Sequence, residues 1–455
     1  MSLSIIILAA GQGTRMRSEL PKVLHSLAGK TLLEHVYVAA SRLKHREIHV
    51  VYGYGGKQVP ESLPDLDVNW IEQQDRLGTG HAVQQAIGAV PDVDFALVLY
   101  GDVPLITFET LQKLVDTAEA TGFSLLTSYI DDPAGYGRIV RDDKGEIIRI
   151  VEDKEAIGDE LSICEINTGM MVVKAGLMKK WLQTLQNDNI QGEYYLTDII
   201  QKAVEDDVKI ASVNPESVTE IRGINNRVHL AEMERYYQYI QAHHLMRLGV
   251  TLMDPARFDL RGDLETGKDV VIDVNVVIEG SVSIGVGVNI GPNCYINNSD
   301  IGDGVTILPN CVIDNAVIGN NCRIGPFSRI RPQTRLAEDV HIGNFVELKN
   351  AEIDRHTKIN HLSYIGDSEI GKDVNIGAGT ITCNYDGADK HKTIIEDNVF
   401  VGSDTQLVAP VKIGEGVTIG AGTTVTKDVP SGALTHNEVK HKVIENWKRP
   451  TKKRE

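Results

Sequence analysis

A short stretch near the N-terminus combines a glycine-rich turn with closely spaced cations. An apolar run at residues 5–8 breaks at Gly11. Three cations follow: Arg15, Arg17 and Lys22. The run has the length and branching of a strand buried on both faces. Small residues let backbone amides turn towards a ligand and approach it closely, so this loop predicts a binding site for a polyphosphate.

Two familiar phosphate-binding loops fit this stretch less well. The dinucleotide fingerprint requires a glycine at the position of Met16. A Walker A loop is suggested by Gly29, Lys30 and Thr31, but Leu24 replaces the first glycine that it requires. An ordinary glycine turn after a strand would leave the spacing of the nearby cations unexplained. The sequence therefore favours a polyphosphate loop of a different kind.

Further polar residues follow later strands of the first half. The strand predicted at residues 95–100 ends in Gly101 and Asp102. A carboxylate that faces the phosphate loop would suit Mg²⁺, a hard ion that prefers carboxylate and phosphate oxygens, although Asp102 could instead cap the next turn. Asn225, near the end of the same half, could complete a metal site. Gln73 and the glycine-rich residues 77–82 supply an amide and exposed backbone suited to the edge of a base.

Several polar clusters between apolar runs would suit a sugar. Each cluster is a weak signal by itself, because loops are normally polar. The clusters lie at residues 135–138, 152, 167–169 and 193–198.

In the second half, polar side chains are densest around His361. An imidazole can remove a proton near neutral pH, since its unperturbed pKa is about 6.5. A lone histidine is more often an ordinary surface residue, so a catalytic role depends on the fold around it. Its polar neighbours in the sequence are Glu347, Lys349, Asn360, Tyr364, Asn375, Asn384 and Tyr385.

Two different periodicities predict the elements that position these residues. Helical and strand patterns alternate to about residue 213, which predicts a largely parallel sheet covered by helices. Ligands on such sheets gather beyond the carboxyl ends of the strands. A helix predicted at residues 226–248 connects this domain to the rest of the chain.

Beyond this connector, the helical period gives way to a repeat of six residues. Ile-Gly or Val-Gly pairs recur at positions 284, 290, 318, 324, 342, 370, 376, 401, 413 and 419. Steps of six or multiples of six separate 284 from 290, 318 from 324 and 342, 370 from 376, and 401 from 413 and 419. One aliphatic residue per hexad can fill a narrow prism, with about three hexads in each coil. The pattern resembles the hexapeptide left-handed β-helix, which departs from the right-handed crossover rule for open sheets. Residues 383–394 interrupt the count and should project as a loop.

Composition limits the class of protein. A chain of 455 residues suggests two or three domains, and a net charge of −17 argues against a general nucleic-acid binder. No signal peptide and no membrane-spanning run are visible. The five cysteines form no CxxC pair, so reduced and mostly buried thiols in a cytoplasmic protein are expected. The basic end of the chain is interpreted as a solvated tail.

The glycine loop with Arg15 and Lys22 resembles the signature of sugar-nucleotide pyrophosphorylases. The two halves together resemble the family of bacterial bifunctional N-acetylglucosamine-1-phosphate uridyltransferase/glucosamine-1-phosphate acetyltransferases. The segments that carry the resemblance are LAAGQGTRM, LYGDVPLI, EYYLTD, DPARFDLRG, GPFSRIRP, IGAGTITCNYDG and VGSDTQLVAP.

The resemblance implies a fold, an activity and an assembly. An α/β Rossmann-like nucleotidyltransferase domain at 1–226 would precede a helical linker at 227–248 and a left-handed parallel β-helix with a C-terminal tail at 249–455. The second domain would acetylate glucosamine-1-phosphate with acetyl-CoA. The first would transfer UMP from UTP to N-acetylglucosamine-1-phosphate with Mg²⁺ and release pyrophosphate. A homotrimer that binds neither nucleic acid nor membrane is implied, with acetyl sites between subunits.

The same resemblance assigns roles to individual residues. The uridine nucleotide would contact Leu8, Ala9, Ala10, Gly11, Lys22, Gln73, Gly78, Thr79, Tyr100, Gly101 and Asp102, with Arg15 beside its phosphates. The sugar nucleotide would contact Gly137, Glu152, Asn167 and Asn225, and Mg²⁺ would bind Asp102 and Asn225. The aminosugar phosphate would contact Arg331, Lys349, Tyr364 and Asn375, with His361 as the base. Acetyl-CoA would contact Ala378, Asn384, Tyr385, Ser403 and Ala421.

One position departs from the family pattern. Glu438 stands where the family usually places a basic residue that meets acetyl-CoA. Either Glu438 points away from the ligand, or Lys440 and Lys442 take over the contact.

Two other functions remain open at this level. The chain could be a single-function nucleotidyltransferase with a regulatory β-helix, or a binding scaffold without catalysis. His361 and the 383–394 loop argue against the first alternative. Asp102 beside the Gly11 loop argues against the second.

Overall fold

The computed structural model describes residues 2–438 and 442–450. The chain divides into two compact units, Met1–Tyr237 and Gln238–Glu455. Within the described residues, no helix is both long enough and apolar enough to cross a bilayer.

The N-terminal unit alternates strands with helices. Its strands are β1 Leu3–Ala9, β2 Ser26–Leu27, β3 Lys30–Thr31, β4 Glu47–Tyr52, β5 Asn69–Glu72, β6 Phe95–Tyr100, β7 Phe123–Tyr129, β8 Arg138–Arg141, β9 Ile147–Val151, β10 Glu165–Lys174 and β11 Ala211–Val213. Its α-helices are α1 Leu32–Ser41, α2 Gln58–Ser62, α3 Thr79–Ile87, α4 Phe108–Thr121, α5 Ala175–Leu182 and α6 Ile199–Glu205. Short 3-10 helices lie at Thr14–Met16, Lys22–Leu24, Gly158–Ser162, Leu196–Asp198 and Val218–Ile221.

The main sheet has the strand order β11-β7-β10-β6-β1-β4-β5. Its centre is parallel, because β1 pairs in parallel with both β4 and β6. The sheet is more mixed than the alternating pattern predicts. β10 runs antiparallel to β6 and β7, and β8 and β9 form an antiparallel pair beside it. The alternation of strands and helices in a sequence does not reveal whether neighbouring strands run parallel or antiparallel, which accounts for this difference.

Strand β1 shows why this sheet is stable. Ile5 and Ile7 belong to one core cluster, whereas Ile6 and Leu8 belong to the cluster on the opposite face. Successive side chains of a strand point to opposite faces, so a continuous apolar run satisfies both cores. The prediction of a strand buried on both faces is confirmed. The run also places the Gly11 loop at the carboxyl edge, between β4 and β6.

The predicted connector is the helix α7, Arg227–Arg247, and the boundary of the two units falls within it. In the first half, Met233 is buried against Leu27, Leu32 and Ile224. In the second half, Gln238 exchanges side-chain hydrogen bonds of 2.8 and 2.7 Å with the backbone of Leu260. The helix therefore belongs to both units rather than to a separate linker, and this division differs from the predicted boundaries at residues 226 and 249.

The C-terminal unit is built almost entirely from short strands and one 3-10 helix, Pro255–Arg257. The strands are β12 Thr251–Leu252, β13 Phe258–Thr266, β14 Val271–Ile272, β15 Val276–Ile284, β16 Asn289–Ile290, β17 Tyr295–Asn297, β18 Asp300–Ile301, β19 Thr306–Ile307, β20 Val312–Asp314, β21 Ala316–Ile318, β22 Arg323–Ile324, β23 Arg329–Ile330 and β24 Thr334–Leu336. They continue with β25 His341–Asn344, β26 Glu347–Ile353, β27 Lys358–His361, β28 Tyr364–Ile370, β29 Asn375–Ile376, β30 Ile381–Cys383, β31 Thr393–Ile395, β32 Phe400–Val401, β33 Gln406–Val408, β34 Val411–Ile413, β35 Thr418–Ile419, β36 Thr424–Val425 and β37 Leu434–Thr435.

These strands stack in parallel into a β-helix. Ile284 pairs with Ile301, and Ile301 pairs with Ile318, so one coil takes about three hexads. One face is an 11-stranded sheet, and a 15-stranded sheet supplies the other two, because long strands such as β15 run round a corner. The repeated aliphatic residues are buried inside, which confirms the predicted prism.

The break in the repeat is a loop, as predicted. Ile370 pairs with Ile395, and the extra residues lie between β30 and β31. An antiparallel bridge between Tyr385 and Lys390 closes the loop, and residues 385–390 are exposed. The loop therefore projects from the stack without disturbing the register of the coils on either side.

Candidate active sites

A cavity of about 430 Å³ lies at the carboxyl edge of the N-terminal sheet. Most of the residues predicted for the uridine nucleotide line it: Leu8, Ala9, Ala10, Gly11, Lys22, Gln73, Gly78, Thr79, Tyr100 and Asp102. The loops that supply them follow β1, β5 and β6, which are neighbours through β4 in the sheet. The cavity thus gathers residues far apart in sequence at the edge where parallel strands present ligands.

Gly13 allows the loop to fold against Lys22. It has a φ of 61°, and a Cβ at this position would lie 2.7 Å from Cβ of Lys22. Any larger residue would be strained and would push the lysine away. The second glycine of the signature therefore serves to place a cation at the cavity.

Lys22 lies at the centre of a polar cluster at the rim of this cavity. Its ammonium group contacts the Asp102 carboxylate and donates to Oδ1 of Asn225 at 3.1 Å. Arg15 donates to the same Asn225 oxygen at 3.0 Å. These four residues span more than 200 positions of the sequence. The structure brings them together into a site where phosphate anions and a metal cation could bind next to each other.

Gln73 is buried beneath the cavity floor. Its amide nitrogen donates to the carbonyl of Gly78 at 3.2 Å and lies 3.0 Å from Nδ1 of His81. The hydroxyl of Thr79 accepts from the backbone of Leu196 at 3.1 Å. The Gln73 side chain is therefore held in one orientation, as a group that reads the edge of a base must be.

Tyr100 links the nucleotide cluster to the predicted sugar cluster. Burial raises the pKa of its phenol, and the charges of Asp102 and Glu152 add to this effect. Burial is also the main cause that raises the pKa of Glu152, against a hydrogen bond of 2.8 Å from Thr197 to its Oε1. The tyrosine thus lies between two carboxylates that the sequence assigns to different ligands.

Two of the other predicted sugar residues, Gly137 and Asn167, connect to Glu152, whereas Asn225 lies in the Lys22 cluster. The backbone N–H of Asn167 donates to the carbonyl of Gly137 at 2.8 Å. A Cβ at Gly137 would lie 3.7 Å from Oε2 of Glu152. The structure therefore brings Gly137, Glu152 and Asn167 together, and their contact with a sugar stays a prediction.

Sequence reasoning missed two residues of the cavity, Gln12 and Arg76. Glu193, from the predicted polar cluster at 193–198, also lines it, and Thr197 of the same cluster holds Glu152. Arg76 lies over the Tyr54 ring at 5.7 Å, a cation–π distance. Gln12 and Arg76 lie directly beside glycine-rich motifs, and this position was the only signal for them.

The donor set at the rim fits a magnesium ion. Oxygens of Asp102 and Asn225 already converge on one cation, the Lys22 ammonium group. Among residues 2–438 and 442–450, no cluster of three or more His, Cys, Asp and Glu side chains forms a complete cage. Mg²⁺ typically takes one or two protein carboxylates and completes its shell with water and phosphates.

In the C-terminal unit, His361 stands on a corner of the β-helix. Its carbonyl accepts from Gly379, the carbonyl of Ala378 accepts from Asp404, and that of Ser403 accepts from Gly422. His361, Ala378, Ser403 and Ala421 therefore occupy the same corner position in successive coils. The predicted base and three predicted acetyl-CoA residues form one column.

Asn344 precedes His361 in this column. It is the register partner of His361, and its Oδ1 lies 2.9 Å from Nδ1 of the imidazole. Carbonyl oxygens accept hydrogen bonds, so this contact suits a ring protonated at Nδ1, with Nε2 left to accept a proton. Asn344 was not predicted from the sequence.

The predicted aminosugar residues lie on the next face. Arg331 forms an ion pair of 2.8 Å with Glu347, and Lys349 lies 3.7 Å from Oδ2 of Asp367. Tyr364 is the register partner of Glu347. Asn375 lies on the neighbouring face, beside Lys358 and Phe400, and the described residues show no hydrogen bond from it to this cluster.

Asp367 joins the aminosugar residues to the projecting loop. Amides of Asn350 and Asn384 donate to its two oxygens. Burial alone would raise the pKa of Asp367, but these hydrogen bonds and the Lys349 charge outweigh it and lower the pKa. Asp367 therefore remains an anion that fixes Asn384 and Lys349 together.

Lys390, from the projecting loop, is a cation that sequence reasoning missed. Its pKa is lowered, chiefly through its contact with Lys349. Two adjacent ammonium groups suit a doubly charged phosphate. Tyr385, by contrast, is exposed and donates to the carbonyl of Gly387 within its own loop at 2.6 Å.

The departure at Glu438 stays a prediction. Glu438 is exposed at the end of the described stretch, as is Lys442 after it resumes. Lys440 lies outside the described residues, so its predicted contact has no structural counterpart here.

Comparison with domain families agrees with both folds. The MobA-like NTP transferase domain matches residues 5–142. The GMPPB C-terminal domain matches residues 260–360, and the bacterial transferase hexapeptide (six repeats) matches residues 392–427. The predicted order, a nucleotidyltransferase domain followed by a hexapeptide-repeat β-helix, is confirmed.

One solved structure is similar at a greater distance. A UDP-glucose pyrophosphorylase complexed with UDP-glucose is 14% identical, with a TM-score of 0.45, and the match covers 52% of this chain and 98% of that chain. The specificity of the N-terminal unit has to be argued from its own residues.

Whole-length relatives identify the family. A protein of Azoarcus sp. named "Bifunctional protein GlmU" is 55% identical and covers 99% of this chain and 100% of its own. Proteins of the same name from Methylococcus capsulatus and Janthinobacterium sp. are 55% and 54% identical, over 100% and 99% of this chain and 99% of their own lengths. The chain therefore belongs to the bifunctional GlmU family, as its motifs predicted.

Proposed function

We propose that the chain makes UDP-N-acetylglucosamine from glucosamine-1-phosphate in two steps. The C-terminal unit transfers an acetyl group from acetyl-CoA to the amine of glucosamine-1-phosphate. The N-terminal unit then transfers UMP from UTP to N-acetylglucosamine-1-phosphate and releases pyrophosphate. The observation that carries the proposal is that each unit gathers its own set of chemically suited residues, around Lys22 and around His361.

In the N-terminal unit, the residues supply charge and orientation. The phosphate of the acetylated sugar attacks the α-phosphorus of UTP, and the bond to pyrophosphate breaks. No protein base is required, because this phosphate is already ionised. Lys22 and Arg15 lie where negative charge accumulates on the phosphates and stabilise it electrostatically. Gln73, held by Gly78 and His81, fixes the base so that the reacting phosphorus is aligned.

Asp102 and Asn225 would hold a magnesium ion beside these cations. The ion supplies Lewis-acid stabilisation of the phosphate oxygens when it is bound. Lys22 contacts the Asp102 carboxylate and would exchange this contact for one with a phosphate.

In the C-terminal unit, His361 acts as the general base. Nε2 removes a proton from the 2-ammonium group of glucosamine-1-phosphate, and the amine attacks the thioester carbonyl of acetyl-CoA. The carbon–sulfur bond breaks, and the leaving CoA thiolate takes up the second proton, which the attacking nitrogen loses as the amide forms. Arg331, Lys349 and Lys390 would hold the sugar phosphate, and the column of Ala378, Ser403 and Ala421 would receive acetyl-CoA.

An exposed apolar ridge on this unit supports assembly into a homotrimer. Phe327 and Phe345 stack with centroids 5.3 Å apart, and about half of each side chain is exposed. Leu362, directly after His361, is 62% exposed. All three residues have a positive φ, an unusual conformation for bulky side chains. Burial by a second copy of the chain would explain the ridge and would bring the copies together beside His361.

The cysteines support a cytoplasmic location. All five are free thiols, and Cys294, Cys311 and Cys322 are buried inside the β-helix. Reduced thiols are typical of proteins in a reducing compartment.

A coupled assay tests the proposal. Glucosamine-1-phosphate, acetyl-CoA, UTP and Mg²⁺ should together yield UDP-N-acetylglucosamine, and omission of acetyl-CoA should stop the sequence at the first step. Phe345→Glu should reduce the mass measured by light scattering to that of a monomer and lower acetyl transfer, with uridyl transfer retained. An unchanged mass would remove the apolar ridge from the trimer interface.

A further inference from the structure

Arg138 is a buried cation that the proposed mechanism leaves without a role. It is the first residue of β8 and is only 3% exposed. Its Nη2 donates to Oδ1 of Asp153 at 3.1 Å, and its Nη1 donates to the carbonyl of Tyr136. Its Nε is buried without a hydrogen-bond partner among the described residues. Arginine is rarely buried unless it is paired, and a buried donor without a partner is unfavourable, so stability alone does not explain this side chain.

The two partners of Arg138 adjoin the proposed sugar site. The Tyr136 carbonyl belongs to the peptide that joins Tyr136 to Gly137. Asp153 directly follows Glu152. The guanidinium group therefore connects the two segments that carry Gly137 and Glu152. From a third segment, the backbone N–H of Asn167 donates to the carbonyl of Gly137.

The geometry of the Tyr136–Gly137 peptide gives this connection a consequence. The peptide is trans, so its carbonyl and its N–H point in opposite directions. Arg138 fixes the orientation of the Tyr136 carbonyl and therefore also the direction in which the Gly137 N–H points. Within the described residues, no backbone or side-chain acceptor receives this N–H, which leaves it available to a ligand.

We propose that Arg138 is a positioning residue for the acceptor sugar. It holds the Gly137 amide and, through Asp153, the Glu152 carboxylate in the arrangement that binds N-acetylglucosamine-1-phosphate. Its planar fork reaches a carbonyl and a carboxylate at once, which the single ammonium group of lysine does with poorer geometry. This inference rests on the proposed function, because it requires the sugar to bind at Gly137 and Glu152.

Steady-state kinetics of uridyl transfer test the role. Arg138→Lys should raise the KM for N-acetylglucosamine-1-phosphate on the order of tenfold, since small displacements of positioning groups have effects of this size. The KM for UTP should change less than about twofold, because UTP contacts the other side of the cavity. Acetyl transfer by the same molecules should be unchanged, which reports an intact chain.

Two further variants keep the test decisive. Asp153→Asn removes the carboxylate partner and should raise the same KM in the same direction by a smaller factor, even if substitution of Arg138 prevents folding. Arg141→Met is the matched control. Arg141 lies on the same strand and is paired with Glu165 at 2.6 Å, but it does not contact the segments of Gly137 or Glu152. It should alter neither KM.

The outcomes separate this inference from the proposed function. If Glu152→Gln raises the sugar KM and Arg138→Lys does not, the sugar site stands and the role of Arg138 is refuted. If Glu152→Gln also leaves the sugar KM unchanged, the proposed sugar site is wrong. Equal increases in both KM values for Arg138→Lys would indicate a purely structural role and would overturn the inference.

Discussion

The two units assemble their polar residues in different ways. In the N-terminal unit, Lys22, Asp102 and Asn225 come from three loops at one sheet edge and meet only when the strands are in register. In the C-terminal unit, His361, Ala378 and Ser403 occupy one corner and are brought together by the repeat itself. A site of the first kind depends on long-range packing, whereas a site of the second kind depends on local register.

This difference predicts how separable the two activities are. Each site draws its residues from within one unit, so a substitution at one site should leave the other active. The largest expected effect comes from a charge at the centre of the loop-built site.

Asp102→Asn should abolish uridyl transfer, with a loss of more than about a hundredfold, because it removes the carboxylate proposed to bind Mg²⁺ and to hold Lys22. Acetyl transfer should be retained. Asp92→Asn is a suitable control, since Asp92 forms a surface ion pair with Lys179 at 2.6 Å on the same unit. Loss of both activities in folded Asp102→Asn would contradict the separation of the sites.

His361→Ala provides the reciprocal test. Acetyl transfer should fall by about a hundredfold or more, the usual contribution of a general base. Uridyl transfer should be unaffected. His356→Ala is the matched control, because His356 lies on another corner of the same β-helix and contacts Asp373 at 3.2 Å. Acetylation by His361→Ala near the native rate at neutral pH would exclude His361 as the base.

Truncation within α7 tests how far the N-terminal unit is independent. A fragment of residues 1–227 should retain uridyl transfer, because Asn225 and the glycine loop remain. It should, however, unfold at least about 5 °C below a fragment of residues 1–237. The shorter fragment loses Met233 from its cluster with Leu27 and Leu32, and also the hydrogen bond from Ala28 to Glu234 at 2.7 Å.

Differential scanning calorimetry of the two fragments would measure this difference. Equal melting temperatures would mean that the first half of α7 contributes nothing to the N-terminal core. An inactive longer fragment would mean that the β-helix is required for uridyl transfer.

A smaller effect concerns stability and pH in the N-terminal unit. Burial raises the pKa of Asp198 to about 6, and the charges of Glu152, Glu155 and Asp188 contribute. An acid with a raised folded pKa destabilises the folded state once it ionises, so its cost is absent at low pH and develops as pH rises through about 6. Asp198→Asn should therefore raise the melting temperature at pH 8, by about 2–4 °C for each kcal/mol of unfolding free energy that the substitution recovers. It should have little effect near pH 4. A greater gain at pH 4 than at pH 8 would contradict this assignment.

The contrast between the units also explains what the sequence could predict. The β-helix followed from the hexad period alone, because each coil repeats the same local pattern and the core is fixed by register. Its corner column around His361 then follows from counting residues. The antiparallel direction of β10 and the packing of helix α7 could not be predicted in this way, since both depend on contacts between residues distant in sequence.

Prediction of the two candidate sites from the sequence has the same limit. The glycine loop and Asp102 were recognisable from their motifs, and the structure brings both to one cavity. Arg76, Asn344 and Lys390 were missed, because an isolated arginine, asparagine or lysine carries no signal until the fold places it beside a ligand site. Arg138 illustrates the point most clearly, since it lies in the predicted polar cluster at 135–138 but its burial appears only in the structure.

The smallest expected effect concerns the end of the β-helix, where column geometry no longer specifies contacts. Glu438 is exposed. The resemblance to the family implies a basic residue at this position, which would meet acetyl-CoA. A carboxylate that faces a phosphorylated ligand repels it, and a single exposed charge contact contributes only about 0.2 to 1 kcal/mol. Glu438→Arg should therefore lower the KM for acetyl-CoA by a few-fold and leave turnover nearly unchanged. The effect should diminish in high salt, which screens surface charges, and with a CoA that lacks its ribose phosphate. An unchanged or higher KM would mean that Glu438 does not face the ligand, and the acetyl-CoA site would then end with the column at Ala421.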